Sequence, residues 1–284
     1  MNKNVCIVGL GLIGGSIGMA IKSKRLATVF GLTRKMPKIG LALEKNAVDF
    51  GTTDIKKAIE RADIIFICYP IHLVIPELKK ILKFVKKGAI ITDVGSTKEE
   101  IVKQAEKIMP KGVYFVGGHP MAGKEKVGLE IAERDLFKAK VWVLTRGSKT
   151  NHNALNELKD IIAQLGASVS VLAPDVHDKA VAGISHSLIP IAAALVNAVH
   201  DSDDLKKIMT DLASSGFKST TRVASGDPTL AVDMFATNKK AVLHNLREFK
   251  KALNRIESAI KRNSSSLVKK ELMKAKKLRD SIFK

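Results

Sequence analysis

Imidazole is the side chain best suited to moving protons near neutral pH. This 284-residue chain carries seven, at His72, His119, His152, His177, His186, His200 and His244. His119 has the setting most favourable to chemistry. It stands in Gly117-Gly118-His119-Pro120-Met121-Ala122-Gly123, a glycine-flanked loop expected to leave the end of a strand over 113–116. Beside a hydride acceptor, a histidine there can take the proton of an alcohol as the hydride leaves. Ser96, in Asp93-Val94-Gly95-Ser96, follows a strand expected over 89–92. Its hydroxyl can bond a ligand, or it can form a capping box with Glu99, as Thr97 can with Glu100.

His186 lies in an apolar segment over 176–199 that reads as one long helix, four residues before Pro190. Proline removes the bond to the His186 carbonyl, so a kink is expected there, and a polar group at such a kink is a candidate for function. His177 is nine residues from His186, which on a regular helix puts it on the opposite side, and it reads as a local cap with Asp175 and Asp178. His152, His200 and His244 read as surface or helix-end residues. No CxxC, HExxH or compact carboxylate cluster argues for a metal, and no GxSxG elbow for a serine hydrolase.

The elements that must position these groups begin with the apolar run Val5-Cys6-Ile7-Val8, followed at once by Gly9-Leu10-Gly11-Leu12-Ile13-Gly14 and a helical pattern to Lys24. Strand, glycine fingerprint and helix in that order bind a dinucleotide. Gly9 makes the tight turn, Gly11 admits the pyrophosphate, Gly14 lets helix and strand pack, and the helix N-terminus attracts the phosphates. Leu12 and Ile13 open that helix beside the phosphates. The next strand, 28–32, ends in Thr33-Arg34-Lys35, where NAD enzymes usually present an acid to the ribose. A hydroxyl and a guanidinium there suit a 2′-phosphate, so NADP is favoured over NAD. A further strand, 64–68, ends at Tyr69-Pro70, which should border the same ligand. Strands over 113–116, 141–145 and 168–172 complete a doubly wound parallel sheet. After Pro174 only helical patterns remain, so residues 1–173 read as a Rossmann dinucleotide-binding domain and 174–284 as an all-helical substrate and dimerisation domain.

With 48 Lys and Arg against 28 Asp and Glu the chain has a net charge of +20. The lysines are spread over nearly every helical segment, often beside acids, and no aromatic residues are interleaved with them. A solvated surface that attracts anionic ligands fits this pattern better than a specific nucleic-acid site. Cys6 and Cys68 sit in apolar strands and read as buried thiols rather than a disulfide. Met1-Asn2-Lys3-Asn4 runs directly into a strand, which does not suit a signal peptide, and no apolar run is expected to reach membrane-spanning length. A cytoplasmic protein without membrane partners is the expectation.

The glycine fingerprint, Asp93-Val94-Gly95-Ser96, the GGHPMAG run, Ile184-Ser185-His186 and the segment Ser214-Ser215-Gly216-Phe217 to Thr220-Thr221-Arg222 occur in one order along nearly the whole chain. Together they resemble the prephenate/arogenate dehydrogenases of tyrosine biosynthesis, most closely the small single-function arogenate type. The resemblance implies oxidative decarboxylation of a cyclohexadienyl ring by a nicotinamide cofactor in a homodimer. It implies His119 as base, Ser96 bonded to the ring hydroxyl or the imidazole, His186 near the substrate and Arg222 on a carboxylate. Two departures stand out: Pro190 follows His186 later than in the family pattern, and Lys124 replaces a small hydroxyl residue. The competing readings are another Rossmann-plus-helical dehydrogenase, acting on a β-hydroxy acid or imine, and a basic nucleic-acid-binding protein.

Overall fold

The computed structural model describes residues 3–124, 126–202 and 204–283; Met1, Asn2, Glu125, Asp203 and Lys284 lie outside the described residues. The apolar runs form eight strands: β1 Lys3–Val8, β2 Ala27–Leu32, β3 Phe50–Thr52, β4 Ile64–Ile67, β5 Ile90–Asp93, β6 Tyr114–Pro120, β7 Val141–Thr145 and β8 Ser168–Leu172. They make one sheet in the order β3-β2-β1-β4-β5-β6-β7-β8. Continuous apolar runs are needed because helices cover both faces. In β1, Val5 and Ile7 enter one core with Phe66, Trp142 and Leu158, while Cys6 and Val8 enter the other with Ile65, Leu78 and Ile91.

β3 to β6 are joined in parallel register, with β1 between β2 and β4. The order therefore reverses at β1, and the loops after β1 and β4 diverge to leave a crevice at their carboxyl ends. The expected all-parallel sheet needs correction at one place, because β6 and β7 are antiparallel, with His119 opposite Val143. A parallel neighbour requires a crossover. The segment between them instead turns back at the same edge, with the Met121 N–H donating to the Val141 carbonyl at 2.8 Å. The short β3, in the weakly patterned stretch after β2, was not anticipated.

From Pro174 onward the described residues form helices joined by turns, with no strand among them. Pro174–Val181, a π-helical turn over Ala182–His186 and Leu188–His200 form one continuous rod of 27 residues, within which an 18-residue stretch has a mean hydropathy of 1.6. By length and composition it could cross a membrane, contrary to the expectation that no run would be long enough. Its amino-terminal part, however, buries His177, Asp178 and His186 in the protein. Helix Pro228–Thr237 packs on helix Ile71–Ile81, where the His72 ring bonds the Asp233 carboxylate. This contact ties the helical part to the sheet part beside the crevice.

Phe66 is fully buried and meets Trp142 edge-on with ring centroids 6.4 Å apart. Phe66→Ala should lower unfolding stability by about 3–5 kcal/mol, read from the shift in a urea denaturation midpoint.

Candidate active site

The phosphate-binding part of the site is set by close backbone approach. Gly9 has φ +104°, and a Cβ there would lie 2.6 Å from the Cys68 carbonyl oxygen. A Cβ on Gly14 would lie 2.1 Å from the Gly9 oxygen, whereas the space around Gly11 is open. Helix Leu12–Ser23 starts directly at this loop, with no side-chain cap and no acid in its first turn. Its first N–H groups thus remain available to an anion. The residues present fit a dinucleotide pyrophosphate.

At the end of β2, Thr33 is buried and no carboxylate follows it. The Arg34 guanidinium lies over the Tyr69 ring, 5.4 Å from its centroid. Thr33, Arg34, Lys35, Lys38, Tyr69 and Pro70 border the same cleft as Gly9, Gly11, Leu12 and Ile13. Gly14 supports the loop from behind.

His119 is not in a loop, contrary to expectation: β6 continues through Gly117, Gly118, His119 and Pro120. The two glycines are there because there is no room for a side chain. A Cβ on Gly118 would stand 2.7 Å from the Asp93 backbone oxygen, and one on Gly117 would stand 2.5 Å from Thr145 Oγ1. Asp93, at the end of β5, is buried and draws this region together. Its carboxylate accepts the N–H of Gly95 at 2.8 Å and of Gly118 at 3.2 Å, and it is ion-paired with the fully buried Lys98 ammonium. The loop carrying Ser96 and the strand carrying His119 are therefore held by one carboxylate.

The expected capping boxes at Ser96 and Thr97 do not form, because the helix runs from Glu99 to Ile108 with no cap from its own side chains. Asp178 supplies the cap from the helical part: Oδ1 accepts the Lys98 N–H at 2.7 Å and Oδ2 the Glu99 N–H at 2.9 Å. Asp178 Oδ1 also meets His177 Nδ1 at 2.7 Å, and His177 Nε2 meets His119 Nδ1 at 2.8 Å. His177 is thus no local cap; it is fully buried against His119. Sequence reasoning missed it, along with Asn238, whose side-chain N–H donates to the Asp178 carbonyl at 2.7 Å and lies 3.3 Å from His186 Nδ1.

The kink expected near His186 takes the form of the π turn, with the Ser187 N–H donating to the Ala182 carbonyl at 3.0 Å. His186 is fully buried, and its Nε2 has no hydrogen-bond partner among the described residues.

A cleft of about 570 Å3 gathers Gly9 to Ile13, Thr33, Arg34, Tyr69, Pro70, Ser96 and His119. Leu230 and Met234 of the helical part close one side, and Lys124 and Lys126 lie on another. The Lys124 ammonium is paired with Glu133 at 2.8 Å. His186 lies outside that lining, as does Arg222, which is exposed at the head of a short 3-10 turn, Arg222–Ser225.

Burial holds the His119 pKa well below the usual imidazole value, with the positive charges that His177, Lys98 and His186 can carry adding to the effect. Burial likewise lowers His186 to about 4, with the Asp178 charge acting in the other direction. The folded protein therefore disfavours imidazolium at both positions. Above pH 6.5 these groups are neutral folded or unfolded. As pH falls from 6.5 towards 4, the unfolded chain takes up protons that the folded chain refuses, so stability is lost. The loss is on the order of 1.4 kcal/mol per pH unit for each such histidine. Urea midpoints measured across this interval should fall, and His186→Leu should flatten the slope.

Comparison with known proteins matches the chain to two family models. Residues 17–171 match the family model described as prephenate dehydrogenase, nucleotide-binding domain, and residues 173–275 match prephenate dehydrogenase, dimerization domain. The prephenate dehydrogenase of Bacillus subtilis is 30% identical over 284 residues, covering 99% of this chain and 76% of that protein. The solved structure of arogenate dehydrogenase from Synechocystis is 33% identical, with a TM-score of 0.87 over 98% of this chain and 99% of that one. The prephenate dehydrogenase of Aquifex aeolicus, solved with hydroxyphenyl propionate and NAD+, is 31% identical, with a TM-score of 0.92 over 99% of both chains. Both halves of the fold and the strand-end histidine site thus fall within one alignable whole, and the chain belongs to the prephenate/arogenate dehydrogenase family.

Proposed function

We propose that the cleft between the Gly9–Gly14 loop and His119 performs the oxidative decarboxylation of prephenate or arogenate with NADP, His119 serving as the base. The chain is a dehydrogenase of tyrosine biosynthesis that uses a nicotinamide cofactor. The observation that carries the finer reading is the joint lining of one cleft by the phosphate loop, Ser96 and a buried histidine.

When bound, the cofactor accepts the hydride from the ring's carbinol carbon. His119, kept unprotonated by burial, takes the hydroxyl proton as the carbinol becomes a carbonyl. Ser96, which lines the same cleft as His119, orients that oxygen. The ring carboxylate then leaves as carbon dioxide. Its electron pair completes the aromatic ring, and the former carbinol oxygen becomes phenolic. Arg222 is assigned a substrate carboxylate, because a guanidinium can clamp one through two parallel bonds. His186 is assigned to the substrate's surroundings. Aromatisation supplies driving force, so the protein's task is to position the ring, accept the proton and exclude water.

Thr33 and Arg34, with Lys35 and Lys38 beside them, support a 2′-phosphate at the ribose end of the cleft. Exposed apolar residues such as Ile184, Leu195, Leu212 and Val232 support a homodimer built through the helical domain that begins at residue 174. Free thiols at Cys6 and Cys68 suit the cytoplasm. A basic surface without base-stacking aromatics gives no reason to add a nucleic-acid partner.

Incubation with prephenate and with arogenate, each with NADP and NAD, tests the reading. Reduced cofactor should accumulate together with hydroxyphenylpyruvate or tyrosine, and faster with NADP. Absence of product from either substrate would overturn it. His119→Asn should lower kcat on the order of 10²–10⁴-fold, with cofactor affinity little changed. Arg34→Asp should shift the kcat/KM ratio towards NAD, and an unchanged ratio would remove the 2′-phosphate role.

A further inference from the structure

We infer that His177 is a positioning residue that fixes which nitrogen of His119 faces the cleft as a bare lone pair. The inference rests on the reading of His119 as base and adds to it the group that sets its tautomer.

Hydrogen-bond polarity can be followed inward from the helix end. Both oxygens of Asp178 accept backbone N–H groups, from Lys98 at 2.7 Å and Glu99 at 2.9 Å. The carboxylate therefore offers only lone pairs to its third neighbour, and His177 Nδ1, at 2.7 Å from Oδ1, must carry a hydrogen and donate it. A neutral imidazole with its hydrogen on Nδ1 is an acceptor at Nε2. That Nε2 is 2.8 Å from His119 Nδ1, so His119 donates from Nδ1 and leaves Nε2 without a hydrogen. The rings meet edge to face, with centroids 5.1 Å apart and planes at 75°. His177 is fully buried, so no water competes for its Nε2.

The opposite polarity would be unproductive. Were the hydrogen of His119 on Nε2, the edge turned to the substrate would present a donor, and the ring hydroxyl could not pass its proton there. A neutral imidazole free of His177 can exchange between the two forms. Holding one form removes that competition before substrate arrives.

The direct test is the nitrogen NMR spectrum of the full chain labelled with 15N-histidine, with His119→Asn used to assign the His119 signals. The expected result is a protonated Nδ1 and a bare Nε2 in neutral His119 at pH 8. A hydrogen on Nε2 would overturn the inference. In kinetics, His177→Leu should lower kcat at least tenfold while the KM values for cofactor and substrate change less than threefold. His177→Gln, whose amide oxygen can accept the same bond, should recover most of that loss. Unchanged kcat in His177→Leu, or equal loss in both variants together with an unaltered His119 tautomer, would assign His177 to structure alone. Should His177→Leu fail to fold, the wild-type spectrum still decides. Should His119→Asn keep full turnover, the base reading fails instead, whatever the tautomer.

Discussion

Asp178 is a carboxylate almost without solvent contact, and burying such a charge costs several kcal/mol unless it is fully bonded. It is bonded on every side. Two N–H groups at the start of helix Glu99–Ile108 reach its oxygens, and the partial positive charge of that helix end favours it. The His177 ring takes a third place, and the Asp178 carbonyl is bonded by Asn238. The helix belongs to the sheet-based half of the molecule, while Asp178, His177 and Asn238 belong to the helical half. Docking of the two halves and orientation of the histidine pair thus depend on the same atoms.

A second buried carboxylate does the corresponding work within the sheet. Asp93 binds Gly95, Gly118 and Lys98, which stations the Ser96 loop against the end of β6. Burial lowers the Lys98 pKa, and the Asp93 charge opposes that shift. Near these buried carboxylates, desolvation disfavours the charged forms of His119 and His186, while uncapped helix N–H groups and the cations Arg34, Lys35 and Lys38 border the cleft. The interior suits a base and the rim suits anions.

Much of this is legible in the amino-acid sequence. The strand, glycine fingerprint and helix at the amino terminus signal their function because Gly9 and Gly14 answer local demands of backbone geometry while Gly11 leaves open space between them. His119 stands out because the strand that leads to it ends at the edge where such sheets bind ligands. The hidden part is non-local. His177 lies 58 residues from His119, and nothing in its neighbourhood announces that pairing. Its separation from His186 was also misleading: nine regular helical residues turn about 180° at 100° each, but a π turn absorbs roughly one residue and leaves about 80°. Gly117 and Gly118 suggest a loop, yet they are extended strand residues at which a side chain would strike Asp93 or Thr145. Glycine in a sequence marks both freedom and crowding, and only the neighbours distinguish them.

In the proposed chemistry His119 offers its Nε2 to the ring oxygen while Nδ1 is held by His177. A crystal structure of the chain with NADP and its phenolic product tests this most directly. The phenolic oxygen should lie within about 2.6–3.2 Å of His119 Nε2, with the Nδ1 to His177 bond intact. A phenolic oxygen bound away from His119, or a ring turned to present Nδ1, would contradict it.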